Sequence, residues 1–177
     1  MPDTQPQAFA IIVMGVSGSG KTSIGEEIAR RLNMAFLEGD SLHPAANIEK
    51  MSKGIPLDDE DRMPWLDKIG EQMKSSLNRG ESLIVSCSAL KRIYRERLRA
   101  AAGGKLSFVY LDGSKALLTD RMKHRTGHFM PVSLLESQLN TLEVPTGEPG
   151  VVTVDIDASV PEIAASAVQQ LEKVGVH

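Results

Sequence analysis

Short apolar runs alternate along the chain with longer segments in which apolar residues recur every three or four positions. A continuous apolar run suits a strand that is buried on both faces of a parallel sheet, and the wider spacing is typical of a helix with one buried face. The pattern predicts strands over 9–14, 34–37, 83–85, 106–111 and 151–156, and helices over 21–32, 45–52, 58–77, 89–102, 115–123 and 161–174.

The alternation of strands with helices predicts a three-layer α/β fold. Right-handed crossovers would bring the strands into one parallel sheet with helices on both faces. We expect residues 1–177 to form a single domain, in which the polar residues 1–7 are a flexible tail. Two loop-rich segments, 40–62 and 124–149, interrupt the pattern, and such insertions on an α/β core usually carry function.

Composition and charge narrow the classes of function. The net charge of −3 argues against a general attraction to nucleic acid or anionic lipid. No apolar stretch approaches the roughly 18 residues that a membrane span needs. The single cysteine, Cys87, excludes an internal disulfide and a multi-thiolate zinc site, and we expect it in the core. These features predict a cytoplasmic protein that binds neither nucleic acid nor membranes.

The clearest chemical motif lies between the first strand and the first helix. The segment Gly15-Val16-Ser17-Gly18-Ser19-Gly20-Lys21-Thr22 matches G-x-x-x-x-G-K-[ST]. Its glycines let backbone N–H groups turn inward, and together with the helix N-terminus these groups cradle phosphate oxygens. Lys21 would reach the β- and γ-phosphates, and the Thr22 hydroxyl would bind Mg²⁺. The predicted nucleotide-binding residues here are Gly15, Ser17, Gly18, Ser19, Gly20, Lys21, Thr22 and Ser23.

Two carboxylates follow the second predicted strand. Glu38 and Asp40 stand two residues apart at its carboxyl end, which is the edge where ligands bind in open α/β sheets. A carboxylate there can accept the proton of a hydroxyl that attacks the γ-phosphate, or hold Mg²⁺ through water. The alternative is that both residues simply solvate a turn.

Several cationic side chains could hold an acidic substrate. Arginine can clamp a phosphate or a carboxylate with two hydrogen bonds, and does so better than lysine. Arg121 and Arg125 are four residues apart and so share one helix face. Each charge could instead be a solvated residue on a helix surface. The candidates are Arg62, Lys91, Arg92, Arg121 and Arg125.

The aromatic and imidazole side chains give weaker signals. His43 comes soon after Asp40 and could hydrogen-bond a substrate, whereas Trp65 is expected to anchor the core. His124 and His128 are close in sequence, but no cysteine or third histidine accompanies them, so a metal site is not expected there.

Four further blocks accompany the phosphate loop in order: Gly39-Asp40-x-Leu42-His43-Pro44, Asp61-Arg62-x-Pro64-Trp65-Leu66, Cys87-Ser88-Ala89-Leu90-Lys91 and Gly127-His128-Phe129. Together these blocks resemble the gluconokinase family, small P-loop carbohydrate kinases that phosphorylate D-gluconate. The phosphate loop alone is shared by many nucleotide-binding families, so the first two of these blocks carry the substrate assignment. Glu38 departs from the family's pattern, which commonly has Asp there, and this leaves Asp40 as the stronger candidate for chemistry.

The resemblance implies a fold similar to that of shikimate and nucleoside monophosphate kinases, with five parallel strands in the order 2-3-1-4-5. It implies a substrate-binding subregion over 40–80 and a lid over 122–140. The implied reaction transfers the γ-phosphate of ATP to the C6 hydroxyl of D-gluconate, with Mg²⁺, and gives 6-phospho-D-gluconate and ADP. Members of the family are often homodimers, so a homodimer is expected here.

Gluconate carries one carboxylate and a row of hydroxyls, so its pocket needs a cation and several hydrogen-bond partners. The expected catalytic residues are Lys21, Asp40 and Arg125, with Asp40 acting on the attacking hydroxyl. The metal would be held by Thr22, with Glu38 or Asp40 acting through water, and the lid residues Arg121 and Arg125 would neutralise the γ-phosphate. The expected substrate-binding residues are Asp40, His43, Arg62, Ser88, Lys91, Arg95 and His128.

Two alternatives belong to other classes of P-loop protein. A kinase for shikimate or a nucleotide would share the fold, but shikimate kinases have paired aspartates after the second strand and lack the His-Pro block. A GTP-hydrolysing switch protein would need an Asn-Lys-x-Asp block, which the sequence does not contain.

Overall fold

The computed structural model describes residues 8–123 and 132–174. Its strands are β1 (Ala10–Met14), β2 (Ala35–Glu38), β3 (Leu83–Ser86), β4 (Leu106–Asp112) and β5 (Val151–Asp155). They form one parallel sheet in the order β2-β3-β1-β4-β5, which confirms the predicted fold class and strand order. The predicted tail over 1–7 lies outside the described residues.

The helices are α1 (Lys21–Leu32), α2 (Ala45–Ser52), α3 (Asp59–Asn78), α4 (Arg92–Ala101), α5 (Lys115–Lys123), α6 (Val132–Thr141) and α7 (Val160–Lys173), and a 3₁₀ turn spans Gly39–Leu42. The bounds of α1, α2 and α5 are those that the apolar spacing predicts. Helix α4 begins later than predicted, because Ala89 has a φ of +46° and Lys91 is extended. Within the described residues, no helix is long and apolar enough to cross a membrane.

The helix α6 was not predicted, and it corrects the expectation of a loop-rich segment over 124–149. The helix is mostly polar but has a short apolar face, in which Leu135 is buried and Leu139 packs against the core. Two apolar residues at one helical spacing are too few to stand out among polar neighbours. The helix nevertheless bears on the site, because it contacts the phosphate loop.

The order of the strands explains why helices cover both faces of the sheet. The crossover from β1 through α1 to β2 runs toward one edge, and the crossover from β3 through α4 to β4 runs toward the other. Right-handed crossovers in opposite directions place their helices on opposite faces. Helix α1 accordingly packs against α7, and α3 packs against α4. The loops after β1 and β3 therefore leave in different directions, and a crevice opens at the carboxyl ends of the strands.

The core and the helix caps position this crevice. All five residues of β1 are fully buried, so the strand that leads into the phosphate loop is the rigid centre of the sheet. Helix α3 begins with a capping box, in which the Asp58 side chain accepts from the Asp61 N–H and the Asp61 side chain accepts from the Asp58 N–H. This cap fixes where α3 starts and so where Arg62 and Trp65 point.

Candidate active site

The phosphate loop between β1 and α1 has the backbone shape that its glycines predict. Gly18 and Gly20 have φ angles of +86° and +89°, in the region that favours glycine. A Cβ at position 18 would stand 2.9 Å from Met122 Cγ and 3.0 Å from the Leu118 carbonyl oxygen. The loop therefore depends on glycine for both its conformation and its close packing against α5.

Side chains hold this loop from two sides. Within the loop, the Ser19 hydroxyl and the Lys21 ammonium group both donate to the Val16 carbonyl, at 2.7 Å and 3.2 Å. From outside, Gln138 of α6 accepts a hydrogen bond of 2.7 Å from the Ser17 N–H. The loop thus stands preorganised at the N-terminus of α1, where backbone N–H groups and the helix dipole favour an anion.

Glu38 at the end of β2 joins the phosphate loop to the neighbouring strand. Its carboxylate accepts hydrogen bonds from the Thr22 hydroxyl and, at 2.7 Å, from the Ser86 hydroxyl. Because Thr22 donates its proton to Glu38, the lone pairs of its oxygen are left for a cation. Within the described ranges, no group of three or more His, Cys, Asp or Glu side chains is placed to hold a metal. This donor set fits Mg²⁺, which keeps several waters and phosphate oxygens as ligands.

Asp40 lies in the 3₁₀ turn, which is held close to β3. A Cβ at position 39 would stand 2.0 Å from the Ser86 carbonyl oxygen, so glycine alone fits there. The Gly39 N–H donates to the Ser86 hydroxyl at 3.2 Å, and the Trp65 indole N–H donates to the Gly39 carbonyl at 2.8 Å. The Asp40 carboxylate next to this clamp keeps 45% of its side-chain surface exposed, so it is open to a ligand.

His43 is buried beside Asp40. Its ring stacks on Trp65 with centroids 4.0 Å apart, and its Nε2 lies 3.7 Å from Asp40 Oδ1. Burial, together with the positive charge of Arg62, lowers the pKa of His43 to about 4. The imidazole is therefore neutral at pH 7, and it cannot serve as a cation for the substrate.

A cavity of about 510 Å³ connects these groups. The phosphate loop lies in its middle, since β1 is the central strand of the sheet. Toward the β2 edge the lining includes Asp40, His43, Arg62 and Ser88; toward the β5 edge it includes Arg121, Asp120, Ala158 and Val160. One space of this size can hold a phosphate chain between two ligand ends of different chemistry.

Arg62 supplies a buried positive charge to this cavity. The residue is only 7% exposed, and its Nε and Nη1 atoms have no hydrogen-bond partner among the residues that the structure describes. Its guanidinium carbon lies 5.4 Å from the centre of the Tyr94 ring. A buried guanidinium whose N–H groups lack acceptors destabilises the protein unless an anion binds and accepts their hydrogen bonds. The planar, forked guanidinium of arginine matches the two oxygens of a carboxylate.

The comparisons with known proteins agree with this geometry. A family model described as an AAA domain matches residues 11–145. The chain is 40% identical over 174 residues to the thermoresistant gluconokinase of Escherichia coli (strain K12), covering 98% of this chain and 99% of that protein. It belongs to the gluconokinase family. The identity to the gluconokinase of Gluconobacter oxydans (strain 621H) is 50% over 144 residues, covering 81% of this chain and 80% of that one.

A solved structure supports the same family assignment. The crystal structure of a gluconokinase from Sinorhizobium meliloti 1021 has a TM-score of 0.87 and 54% sequence identity to this chain, covering 96% of this chain and 95% of that one. The similarity in fold to a gluconokinase is thus not confined to the phosphate loop.

Two of the predicted substrate cations of this gluconokinase-family chain do not line the cavity. The Lys91 ammonium group lies 2.9 Å from Asp59 Oδ1, outside the lining. Arg95 is fully buried and makes a two-pronged ion pair with Glu148, at 2.9 Å and 2.6 Å. It also donates to the Ala89 carbonyl at 2.8 Å. The expectation that Arg95 binds substrate is therefore corrected: its donors are consumed by the protein, and it supports the strained Ala89 next to Ser88.

The predicted lid residues divide into two groups. Arg121 lines the cavity, and one of its nitrogens donates to the Ile156 carbonyl at 2.6 Å, so backbone after β5 orients it. Arg125 and His128 lie outside the described residues, and so does the stretch 124–131 of the predicted lid over 122–140. Arg92 also lies away from the cavity lining, 3.6 Å from Glu96 on the same helix.

Sequence reasoning missed several residues that line the cavity. Gln138 and Ser137 come from the unpredicted helix α6, and Asp120 from α5. Val160 and Ile163 come from the start of α7, whose capping signal of Ser159 and Glu162 was available in the sequence. That signal predicts where the helix begins, but it does not predict that the side chains of its first turn line the cavity.

Proposed function

We propose that this protein is an ATP-dependent gluconokinase that phosphorylates the C6 hydroxyl of D-gluconate and releases ADP and 6-phospho-D-gluconate. The observation that carries the proposal is one cavity that joins a phosphate loop, an open carboxylate at Asp40 and the buried guanidinium of Arg62, whose Nε and Nη1 atoms lack a partner among the described residues. These three groups match the triphosphate, the reacting hydroxyl and the acid end of the substrate. Membership of the gluconokinase family supports the choice of acid.

The phosphate loop would bind the β- and γ-phosphates. Backbone N–H groups of the loop and the N-terminus of α1 favour the anionic chain, and Lys21 adds a positive charge beside it. The Thr22 hydroxyl, held by Glu38, would bind Mg²⁺, which when bound would neutralise phosphate charge. The apolar side chains Ala158 and Val160 would lie toward the nucleotide base.

Asp40 would act on the hydroxyl that attacks. Its carboxylate accepts the hydroxyl proton as the oxygen forms a bond to the γ-phosphorus, and the bond from that phosphorus to the β-phosphate bridging oxygen breaks. The electron pair of the broken bond leaves with ADP. Glu38 is less suited to this role, because two hydroxyl groups already occupy its oxygens.

Arg62 would hold the carboxylate of gluconate. The buried site strengthens this attraction, since few waters compete with the anion. Ser88 and the neutral His43 line the same part of the cavity and would hydrogen-bond the hydroxyls between the two ends. The predicted roles of Arg125 and His128, the closing lid over 122–140, the homodimer and the cytoplasmic location stay predictions.

A substrate screen tests the assignment. ADP release is measured with purified protein, ATP and Mg²⁺ in the presence of D-gluconate, shikimate, glycerate or nucleoside monophosphates. Turnover that depends on gluconate is expected, and its absence would overturn the substrate assignment.

A matched pair of variants tests the role of Asp40. Asp40→Asn should lower kcat by about 100-fold or more with little change in the Kd for ATP, because it removes the proton acceptor of the transition state. Asp67→Asn is the control, since Asp67 is half-exposed and pairs with Arg97 away from the cavity. Equal and modest losses in turnover and ATP affinity for Asp40→Asn would indicate a binding role instead.

A further inference from the structure

Asn47 of α2 determines which way the hydrogen bonds run around His43. Its amide nitrogen donates to the Asp61 carbonyl at 2.8 Å, and the same nitrogen lies 3.2 Å from His43 Nδ1. The reverse orientation of the amide would set its oxygen against the Asp61 carbonyl oxygen, which is repulsive. The contact with Asp61 thus identifies the atom that faces His43 as the –NH₂ group.

An –NH₂ group can only donate a hydrogen bond, so His43 Nδ1 must accept one and carries no hydrogen. In a neutral imidazole the other nitrogen then holds the proton. That nitrogen, Nε2, is the one that lies 3.7 Å from Asp40 Oδ1. A small approach would close this contact to the usual hydrogen-bond length of about 2.9 Å.

The surroundings make this arrangement rigid. Asn47 is 3% exposed and the His43 side chain is also 3% exposed, so water does not compete for these hydrogen bonds. Trp65 stacks on the imidazole and is itself held by the Gly39 carbonyl next to Asp40. Ring rotation would therefore disrupt both the stack and the contact with Asn47.

We propose that Asn47 is a positioning residue: it holds His43 as an Nε2–H donor toward Asp40, so that the imidazole orients the reacting carboxylate and never competes for the hydroxyl proton. The orienting role rests on the proposed function, in which Asp40 accepts that proton. The direction of the hydrogen bonds does not rest on it.

The first test is the proton position in the unmodified chain. Long-range ¹H–¹⁵N NMR of the imidazole rings, without substrate, distinguishes a protonated from a bare ring nitrogen. The His43 signals are those that disappear in His43→Gln. A bare Nδ1 and a protonated Nε2 are expected, and a protonated Nδ1 would overturn the proposal.

The second test replaces the hydrogen-bond donor that faces Nδ1 by an acceptor. Asn47→Asp keeps the size of the side chain but places oxygen opposite Nδ1, which should gain a hydrogen. Either Nε2 then loses its hydrogen, or the ring becomes a cation that weakens Asp40 as a base. Both results should lower kcat with gluconate by about tenfold or more, while the KM for ATP changes by less than about twofold. Unchanged kcat in a variant with a protonated Nδ1 would overturn the proposal.

Lys50→Met is the matched control for this variant. Lys50 pairs with Asp61 at 2.8 Å, so the variant weakens the same junction between α2 and α3 but leaves the Asn47 amide in place. It should keep Nδ1 bare and kcat within about twofold of the unmodified chain. If Lys50→Met reproduces the loss seen in Asn47→Asp, then Asn47 acts by holding the helices together, and the proposal fails.

A pair of His43 variants tests the proposal if Asn47→Asp does not fold. The amide nitrogen of Gln can take the place of Nε2–H, whereas the shorter amide of Asn cannot reach it. His43→Gln should therefore keep at least about fivefold more kcat than His43→Asn. Equal activities would overturn the orienting role. Failure of the proposed function differs from all of these results, because it would appear as no gluconate-dependent turnover in the unmodified chain.

Discussion

Arg62 near the start of α3 and Arg95 in α4 are both buried, yet their guanidinium groups have opposite surroundings. Arg95 is surrounded by acceptors, since Glu148, Ala89 and Glu143 all take its hydrogen bonds. Arg62 faces the cavity, and its Nε and Nη1 atoms lack a partner in the described part of the chain.

The difference shows how two charges of one type come to serve stability and binding. A buried cation with a full set of acceptors stabilises the fold only as a pair, and the loss of one partner leaves the other charge unpaired. A buried cation with unmet donors destabilises the empty protein, and an anionic ligand relieves that cost. The surroundings of a charge, rather than its burial alone, therefore separate the site from the scaffold.

Removal of Arg95 should give the largest effect. Arg95→Met should lower the free energy of unfolding by about 3–5 kcal/mol. Glu148 would keep only its hydrogen bond from Arg99, and the carbonyls of Ala89 and Glu143 would lose a donor. Urea denaturation followed by circular dichroism measures this change. A loss below about 1 kcal/mol would contradict the view that the ion pair supports the fold.

Removal of Arg62 should mainly affect the substrate. Arg62→Met should lower kcat/KM for gluconate by about 100-fold, or roughly 2.7 kcal/mol, because the carboxylate loses a buried cation. The KM for ATP should change little, as the phosphate loop is built from other residues. The free energy of unfolding should not fall, because the variant removes a buried charge with unmet donors. Steady-state kinetics and urea denaturation of this variant, compared with Arg95→Met, test the contrast directly. A variant that loses stability but keeps its gluconate kinetics would reverse the two roles.

Acid should weaken the ion pair between Arg95 and Glu148. Hydrogen bonds from Arg95 and Arg99 hold the pKa of Glu148 below its ordinary value of 4.5. The pair therefore stabilises the fold fully above about pH 4.5 and loses this contribution as the pH falls through the lowered pKa. Unfolding measured from pH 7 to pH 3 should show a steeper loss in the unmodified chain than in Glu148→Gln. Parallel curves would contradict this assignment.

The smallest effect is expected from Lys91, a cation beside the same Tyr94 ring. Its side chain is 31% exposed and pairs with Asp59, so water screens its charge. Lys91→Met should change the free energy of unfolding by less than about 1 kcal/mol and kcat/KM for gluconate by less than about threefold. A loss comparable with that of Arg62→Met would instead bring Lys91 into the site.

Local patterns predicted the elements and the phosphate loop well. The bounds of α1 and α2 follow from apolar spacing, and the loop motif lies within eight consecutive residues whose backbone needs glycine. The cap of α3 could also be predicted, because Asp58 and Asp61 are three residues apart. Helix α6 could not, since its contacts with the core come from few apolar residues.

The sequence by itself determined the α/β alternation, the phosphate loop and the presence of a carboxylate at the end of β2, because these depend on neighbours within a few positions. Only the tertiary structure decided which cation faces the cavity and which is paired away from it. Arg95 and Glu148 are 53 residues apart in the chain, and no local pattern records such a contact. A buried polar side chain takes its hydrogen-bond partners from segments that are distant in sequence and that folding brings into contact. The roles of Arg62, Arg95 and Asn47 therefore depend on tertiary packing.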